Sequence, residues 1–316
     1  MTSRFHIAAD HPAMRQLDLF LAYRRASGKK EATLNGYRRV CARFVAEAPG
    51  LPIEPRDWTS DHVVLWLALR RRDGRGRNGG PLDDNTIAYD QRQLYVWLGW
   101  LYERDVMPRD PRRGLPVTRT TQKIHRAMAE NDVRRMVVCA LDRSRGRGTW
   151  ALTDRPSRLR DAAIVRCLWS TGVRVKELAA MEVADFREES NGKTKVGLLA
   201  VRSPKAHEER ELPLDAAAYA ALLEYLNSER GWEPGPLFRL QRSGIIGMIK
   251  KLALLAGVEA SPHDFRYGFA RRCLDAGMAP VEVQQLLGHA TIAMTMRYAQ
   301  GAAHVSAIRS FREKVG

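Results

Sequence analysis

No apolar run in the 316 residues approaches the ~20 residues that a membrane span requires. The opening stretch, MTSRFHIAADHPAMRQ, also lacks the apolar core of a secretory signal. A cytoplasmic chain without a membrane partner is therefore expected. Cysteine is scarce: Cys41, Cys139, Cys167 and Cys273 stand far apart, with neither C-x-x-C spacing nor the framework of a disulfide-stapled fold. They read as reduced thiols with no assigned chemistry. Acidic residues are short as well, 36 against 52 Lys+Arg, which leaves +16 at pH 7.

That excess makes a polyanion the expected partner. It is not confined to a tail, because residues up to 126 carry 23 basic against 14 acidic groups and the remainder 29 against 22. Of the basic residues 42 are Arg, the side chain that forks onto phosphate, although a GC-rich genome produces the same bias. On composition alone a solvated basic surface stays open as a second reading. The length and the 45% hydrophobic content suffice for two domains, each with a core.

The first part of the chain is all helical in pattern. MRQLDLFLAYRRAS, KEATLNGYRRVCARFVAEA, TSDHVVLWLALRRR and DDNTIAYDQRQLYVWLGWLYERD each place apolar residues at helical spacing. Between the last two, RRRDGRGRNGGPL is a basic Gly-rich loop, suited to phosphate contact or equally to a surface turn. The stretch MPRDPRRGLPVTRTTQKIHR holds three prolines and no apolar period. It predicts an extended basic linker over 108–126, between a helical domain over 1–107 and a second domain over 127–316.

In the second domain SRLRDAAIVRCLWSTG reads as a helix with Ser157 as N-cap and Gly172 as its stop. VKELAAMEVADF reads as the next helix with its exit. KVGLLAVRSPKAHEERELPL holds two strand-like runs around a polar turn, a predicted hairpin. The chain then returns to helix, so the class is mainly α with a small antiparallel sheet.

Four short strings carry chemistry-bearing side chains. In TGVRVKEL, Arg174 follows the helix stop and Glu177 lies three residues on, where it can hold the guanidinium; such pairs are usually solvated. In SPHDFRYGFARRCLDAG, His263 and Arg266 share a face beyond a Ser261–Pro262 helix start, which suits phosphate or an ordinary surface helix. Lys205 lies near the hairpin tip in RSPKAHEER, a common place for a solvated lysine. In LLGHATIAMTMRYA, Gly288 ends one helix, His289 sits in the turn and Thr291 can cap the next. Tyr298 is seven residues past Thr291, nearly two turns, so it projects over the start of its helix and toward His289. Ile292 and Met296 are expected to be the packing that holds that helix. Read singly, each string is also compatible with ordinary core or surface residues.

Taken in order, Arg174, Lys205, His263, Arg266, His289 and Tyr298 stand in the local contexts of one family. The chain resembles the tyrosine recombinases (phage integrase family) through TGVRVKEL, RSPKAHEERELPL, HDFR and LLGHATIAMTMRYA. The resemblance implies a two-domain C-clamp around double-stranded DNA. Its parts would be a helical, SAM-like core-binding domain and an α-rich catalytic domain with a small antiparallel sheet. Tyr298 would attack a phosphodiester to give a 3′-phosphotyrosine and a free 5′-hydroxyl, while Arg174 and Arg266 clamp the non-bridging oxygens. His263 and His289 would bond the same phosphate, Lys205 would protonate the leaving oxygen, and Glu177 would support Arg174.

No metal or other cofactor is implied, since phosphoryl transfer asks mainly for positioning and charge neutralisation. A zinc site from His263, Asp264, His289 and His304 lacks a recognisable ligand spacing. The resemblance further implies a homotetramer on paired sites, a nucleoid location when DNA-bound, and room for accessory proteins that set direction. A tail with Val305, Ile308 and Phe311 would pack on a neighbouring protomer or back on its own domain. The sequence departs from the family pattern at Phe265, Tyr267 and Gly268, and at Pro204 and Glu208 in the hairpin. A type IB topoisomerase-like enzyme and a catalytically silent DNA-binding protein are the alternatives.

Overall fold

The computed structural model describes residues 7–8, 10–76, 79–115, 118, 120, 127–142, 158–190, 192, 195–202 and 209–299. Ser157, Pro204, Lys205, Glu208, His304 and the tail with Val305, Ile308 and Phe311 lie outside the described residues, as does most of 116–126. The chain divides into two compact units, Met1–Lys123 and Ile124–Gly316. Among the described residues no helix is long and apolar enough to cross a membrane.

The amino-terminal unit is built from α1 (Pro12–Ala26), α2 (Glu31–Glu47), α3 (Ser60–Asp73) and α4 (Asp84–Glu103). Its helix starts follow local chemistry. Pro12 takes the first turn of α1, where its missing N–H costs nothing. Asp83 caps α4 by accepting from the Thr86 N–H at 2.8 Å. The core is aromatic: Phe44 meets Trp58 and Trp66 edge-on with ring centres 5.3 and 5.5 Å apart, and Trp58 meets Trp97 at 5.5 Å. Edge-to-face packing aligns ring quadrupoles and adds ~0.5–1.5 kcal/mol per pair beyond burial. One charge pair is buried with these rings, Arg70 donating to Asp90 Oδ2 through Nε (3.2 Å) and Nη2 (2.8 Å) and so tying α3 to α4. The Gly-rich loop closes in one antiparallel bridge, Arg75 to Pro81.

In the carboxy-terminal unit α6 (Arg158–Thr171) is central, and α5 (Glu130–Leu141) packs one face against it. Along α6, Ala162 to Val165 and Cys167 to Thr171 are all buried, so this helix is covered on nearly every side, as an interior helix is. Gly172 ends it with φ +60°, and a Cβ there would lie 2.7 Å from the Phe269 ring; only glycine supplies both the left-handed backbone and the room. The expected helix after it is short, α7 (Val175–Leu178). A 3₁₀ turn at Val183–Asp185 then leads into a strand.

The sheet is a three-stranded antiparallel meander in the order β1 (Phe186–Ser190), β2 (Lys195–Arg202), β3 (Glu209–Pro213). Leu199 lies opposite both Phe186 and Leu212, one buried row across all three strands. The predicted hairpin is β2–β3. β1, FREES, buries only Phe186 and so carries no alternation by which a strand is recognised; its pairing with β2 makes it one. The remaining helices are α8 (Ala216–Tyr225), α9 (Arg242–Ala256), α10 (Pro262–Asp275), α11 (Pro280–Leu287) and α12 (Ile292–Ala299).

One expectation about packing is overturned. Ile292 and Met296 are 43% and 44% exposed, whereas Thr295 is fully buried. α12 is held by its polar side, and Tyr298 rests on a small cluster of Phe269, Ala270, Val283 and Leu287 from α10 and α11. With 3.6 residues per turn, Thr295 and Tyr298 share a face that excludes Ile292 and Met296 from the interior only once the turn before α12 sets the helix's rotation.

Candidate active site

The site is organised by the end of α11. Gly288 takes a left-handed conformation, φ +63° and ψ 52°, and the His289 N–H returns to the Gln284 carbonyl at 3.1 Å. This reversal leaves the last carbonyls of the helix projecting, at the partially negative end of its dipole. Three consecutive carbonyls each accept from a different guanidinium. Arg210 Nε donates to Leu286 O (2.9 Å), Arg266 Nη2 to Leu287 O (2.7 Å) and Arg174 Nη2 to Gly288 O (3.0 Å).

Arg174 stands at the N-cap of α7, where the Gly172 stop delivers it. Glu177, one turn on, accepts Arg174 Nη1 at Oε1 (2.8 Å) and the Arg174 backbone N–H at Oε2 (3.0 Å). The sequence-expected pair is thus formed. The Arg174 side chain keeps 37% exposure, so its outer edge is open to a ligand. Burial tends to raise the Glu177 carboxyl, but the Arg210 and Arg174 bonds outweigh it and hold the group below the usual carboxylate range.

Arg266 lies one turn into α10, whose start is fixed by Pro262 and by Asp264 accepting the Ser261 N–H at 2.7 Å. It is 4% exposed, and its second terminal nitrogen, Nη1, donates to Gly172 O at 2.9 Å. Burial, then the neighbouring Arg174, lowers its pKa to about 10, with Tyr298 and Glu177 acting in the other direction. It is a cation at neutral pH. His263, also on α10, sits exposed in the first turn.

His289 is buried, with Nδ1 2.8 Å from Thr295 Oγ1. Burial, followed by Arg266, Arg174 and Arg210, pushes its pKa down to about 4, so the imidazole is neutral at pH 7. Its ring stacks on that of Tyr298, centres 5.6 Å apart and planes 16° apart, while Tyr267 meets Tyr298 edge-on at 5.1 Å. Tyr298 is thereby held on two sides and is half-buried.

Arg174, Glu177, Arg266, His289 and Tyr298 are therefore brought together from three separated strings by α11 and its turn. Two participants escaped sequence reading. Arg210 occupies the inward face of β3 two residues before buried Leu212, so its signal was an arginine on the apolar side of a period-2 pattern. Thr295 lies between Met294 and Met296, whose hydrophobicity points to the wrong face.

A sequence profile of the Phage integrase family matches residues 149–304. The tyrosine recombinase XerC of Xanthomonas axonopodis pv. citri (strain 306) is 28% identical over 305 residues, covering 90% of this chain and 92% of the relative. Among solved structures, the Tn1549 transposon integrase in complex with a circular intermediate DNA aligns with TM-score 0.67 and 18% identity, over 95% of this chain and 99% of that one. A lambda integrase tetramer bound to a Holliday junction aligns with TM-score 0.66 and 17% identity, over 90% and 76%. These structures share the fold, and the XerC relative matches along nearly the whole length. Residues 149–304 form a phage integrase family domain, that of the tyrosine recombinases, and the chain is similar to XerC along nearly its whole length.

Proposed function

We propose that the protein is a site-specific DNA recombinase that cleaves and rejoins duplex DNA through Tyr298, without ATP. The observation that carries this reading is the parallel stack of Tyr298 on His289 beside the Arg266 and Arg174 guanidiniums. It sets a nucleophile next to two cations that a phosphate would complete.

In the proposed reaction the Tyr298 oxygen attacks the phosphorus and the bond to the 5′-oxygen breaks. The strand is left with a 3′-phosphotyrosine and a free 5′-hydroxyl. Phosphoryl transfer spreads charge over the equatorial oxygens, and bidentate guanidiniums such as Arg174 and Arg266 neutralise it. A buried cation acts strongly here because little water screens it. Neutral His289 donates from Nε2 to the same phosphate when the Thr295 hydroxyl donates to Nδ1, which fixes the tautomer. A phenol is a weak nucleophile while it keeps its proton, so the Tyr298 hydroxyl gives up its proton as the oxygen bonds to phosphorus. His263 is assigned to the phosphate as well, and Lys205 to protonation of the leaving oxygen. A second 5′-hydroxyl reverses the step, because the phosphotyrosine retains the energy of the broken bond.

The amino-terminal helical unit is assigned to DNA binding next to the cleaved phosphate, with the basic linker along the backbone and four protomers joining paired sites. The +16 charge supports a salt-dependent grip on DNA. The test is Tyr298→Phe with nicked duplex substrates drawn from a random-sequence pool. The wild-type chain forms a detergent-stable protein–DNA adduct, and the variant binds the same DNA with no adduct. An adduct that persists in Tyr298→Phe removes the assignment.

A further inference from the structure

We propose that Arg210 is a positioning residue for cleavage: it locks the Glu177–Arg174 pair to the end of α11 and so sets the orientation in which Arg174 meets the phosphate. The inference rests on the recombinase reading and extends it to a residue on the sheet.

The contacts form a closed ring. Arg210 Nη2 donates to Glu177 Oε2 at 2.7 Å, while its Nε donates to Leu286 O at 2.9 Å. Glu177 Oε1 holds Arg174 Nη1 at 2.8 Å, and Arg174 Nη2 holds Gly288 O at 3.0 Å. The guanidinium of Arg210 also lies flat against residue 288: a Cβ added to Gly288 would fall 2.8 Å from Arg210 Nη1 and 3.0 Å from its Cζ. Arg210 thus touches both anchors of Arg174, the carboxylate and the turn.

Two physical consequences follow. Glu177 and Arg174 alone are an i,i+3 pair at the start of a four-residue helix, a weak geometric restraint when partly solvated. A second guanidinium, 33 residues on in sequence and only 15% exposed, turns that pair into a clamp with fixed points on three elements. Charge is the second consequence. One carboxylate facing one guanidinium would cancel the positive charge that a phosphate needs, whereas one carboxylate shared by two guanidiniums leaves a net +1. Arg210 therefore lets Glu177 orient Arg174 without neutralising the site. Only a rigid fork reaches Glu177 and Leu286 O together; a lysine offers one point charge.

The experiment compares the wild-type chain with Arg210→Lys and Arg210→Gln. Single-turnover cleavage is measured at saturating DNA on the nicked duplex captured by the wild type, and on the same duplex with a methylphosphonate at the cleaved position. Removing one non-bridging charge lessens the demand on Arg174. Arg210→Lys is expected to slow cleavage of the phosphate substrate on the order of 10²-fold, with DNA affinity and melting temperature close to wild type. On methylphosphonate DNA the deficit shrinks to a few-fold, which a general structural defect would not do. Wild-type cleavage by Arg210→Lys, or an equal deficit on both substrates, overturns the proposal.

Side-chain ¹⁵N NMR of Arg174 in the free protein decides independently of any DNA reaction. Separate, slowly exchanging Nη signals in the wild type should merge in Arg210→Lys, and unchanged signals reject the positioning role. Failure of the recombinase reading shows separately, as an adduct in Tyr298→Phe.

Discussion

Both units bury arginine, and Arg70 and Arg266 are satisfied in opposite ways. In the amino-terminal unit Arg70, 8% exposed, forks onto the Asp90 carboxylate. In the carboxy-terminal unit Arg266, 4% exposed, is bonded to the carbonyls of Gly172 and Leu287. A carboxylate cancels a guanidinium's charge, while carbonyls satisfy its N–H groups and leave the charge in place. Arg70 is therefore complete as folded and serves stability. Arg266 keeps its charge as folded, as its proposed place at the phosphate requires, and its order is supplied in advance. Burial identifies neither role; the chemistry of the acceptor does.

The largest expected effect of breaking this contrast is on Arg70. Arg70→Met leaves the Asp90 carboxylate buried with only Arg43 at 3.9 Å, and should cost the amino-terminal unit about 3–5 kcal/mol. Adding Asp90→Leu should recover most of that loss, because a well-packed apolar pair replaces the ions. Urea unfolding followed by tryptophan fluorescence reports on this unit, which holds Trp58, Trp66, Trp97 and Trp100 among the seven tryptophans. A double variant no more stable than the single one would show that the pair is needed for more than charge balance.

The next effect falls on chemistry instead. Arg266→Gln should lower the cleavage rate about 10²–10³-fold, the usual consequence of deleting one preorganised donor at a developing charge, while unfolding midpoints move less than for Arg70→Met. Single-turnover adduct formation beside urea melts reads both. If Arg266→Gln were mainly a folding defect with a normal cleavage rate, the division between the two arginines would be wrong.

The smallest effect is a pH dependence of stability from His289, which lies among the same cations. Its folded pKa, about 4, is below the ordinary 6.5, so the unfolded chain takes up the proton first as pH falls. The contribution is full above pH 6.5 and is lost between 6.5 and about 4, by at most about 1.4 kcal/mol per pH unit. The difference between wild type and His289→Gln in urea midpoints should narrow over that window. A difference independent of pH would mean that the imidazole is not held neutral.

How much of this was legible depended on the range of the interaction that decides each feature. The helix stops at Gly172 and Gly288 are set by backbone conformation, and both glycines take positive φ where the sequence placed a stop. The Arg174–Glu177 bond follows from i,i+3 spacing. The β2–β3 hairpin was readable from two strand-like runs about a polar turn. β1 was not, since a strand with one buried residue is made by its partner rather than by its own pattern. α12 was read with the wrong face inward: periodicity finds the apolar side of a helix, and here the apolar side is exposed.

The sequence by itself determined which side chains are available for phosphate chemistry, where the helices break, and the order in which the basic and aromatic groups arrive. These follow from local sterics, short-range spacing and residue chemistry. Only the tertiary structure decided that Leu286, Leu287 and Gly288 each receive a guanidinium, that Arg210 shares Glu177 with Arg174, and that Thr295 turns inward to His289. Those contacts join residues up to 114 positions apart. Three of the five have a backbone carbonyl as acceptor, which every residue carries, so no choice of side chain announces those three before the chain has folded.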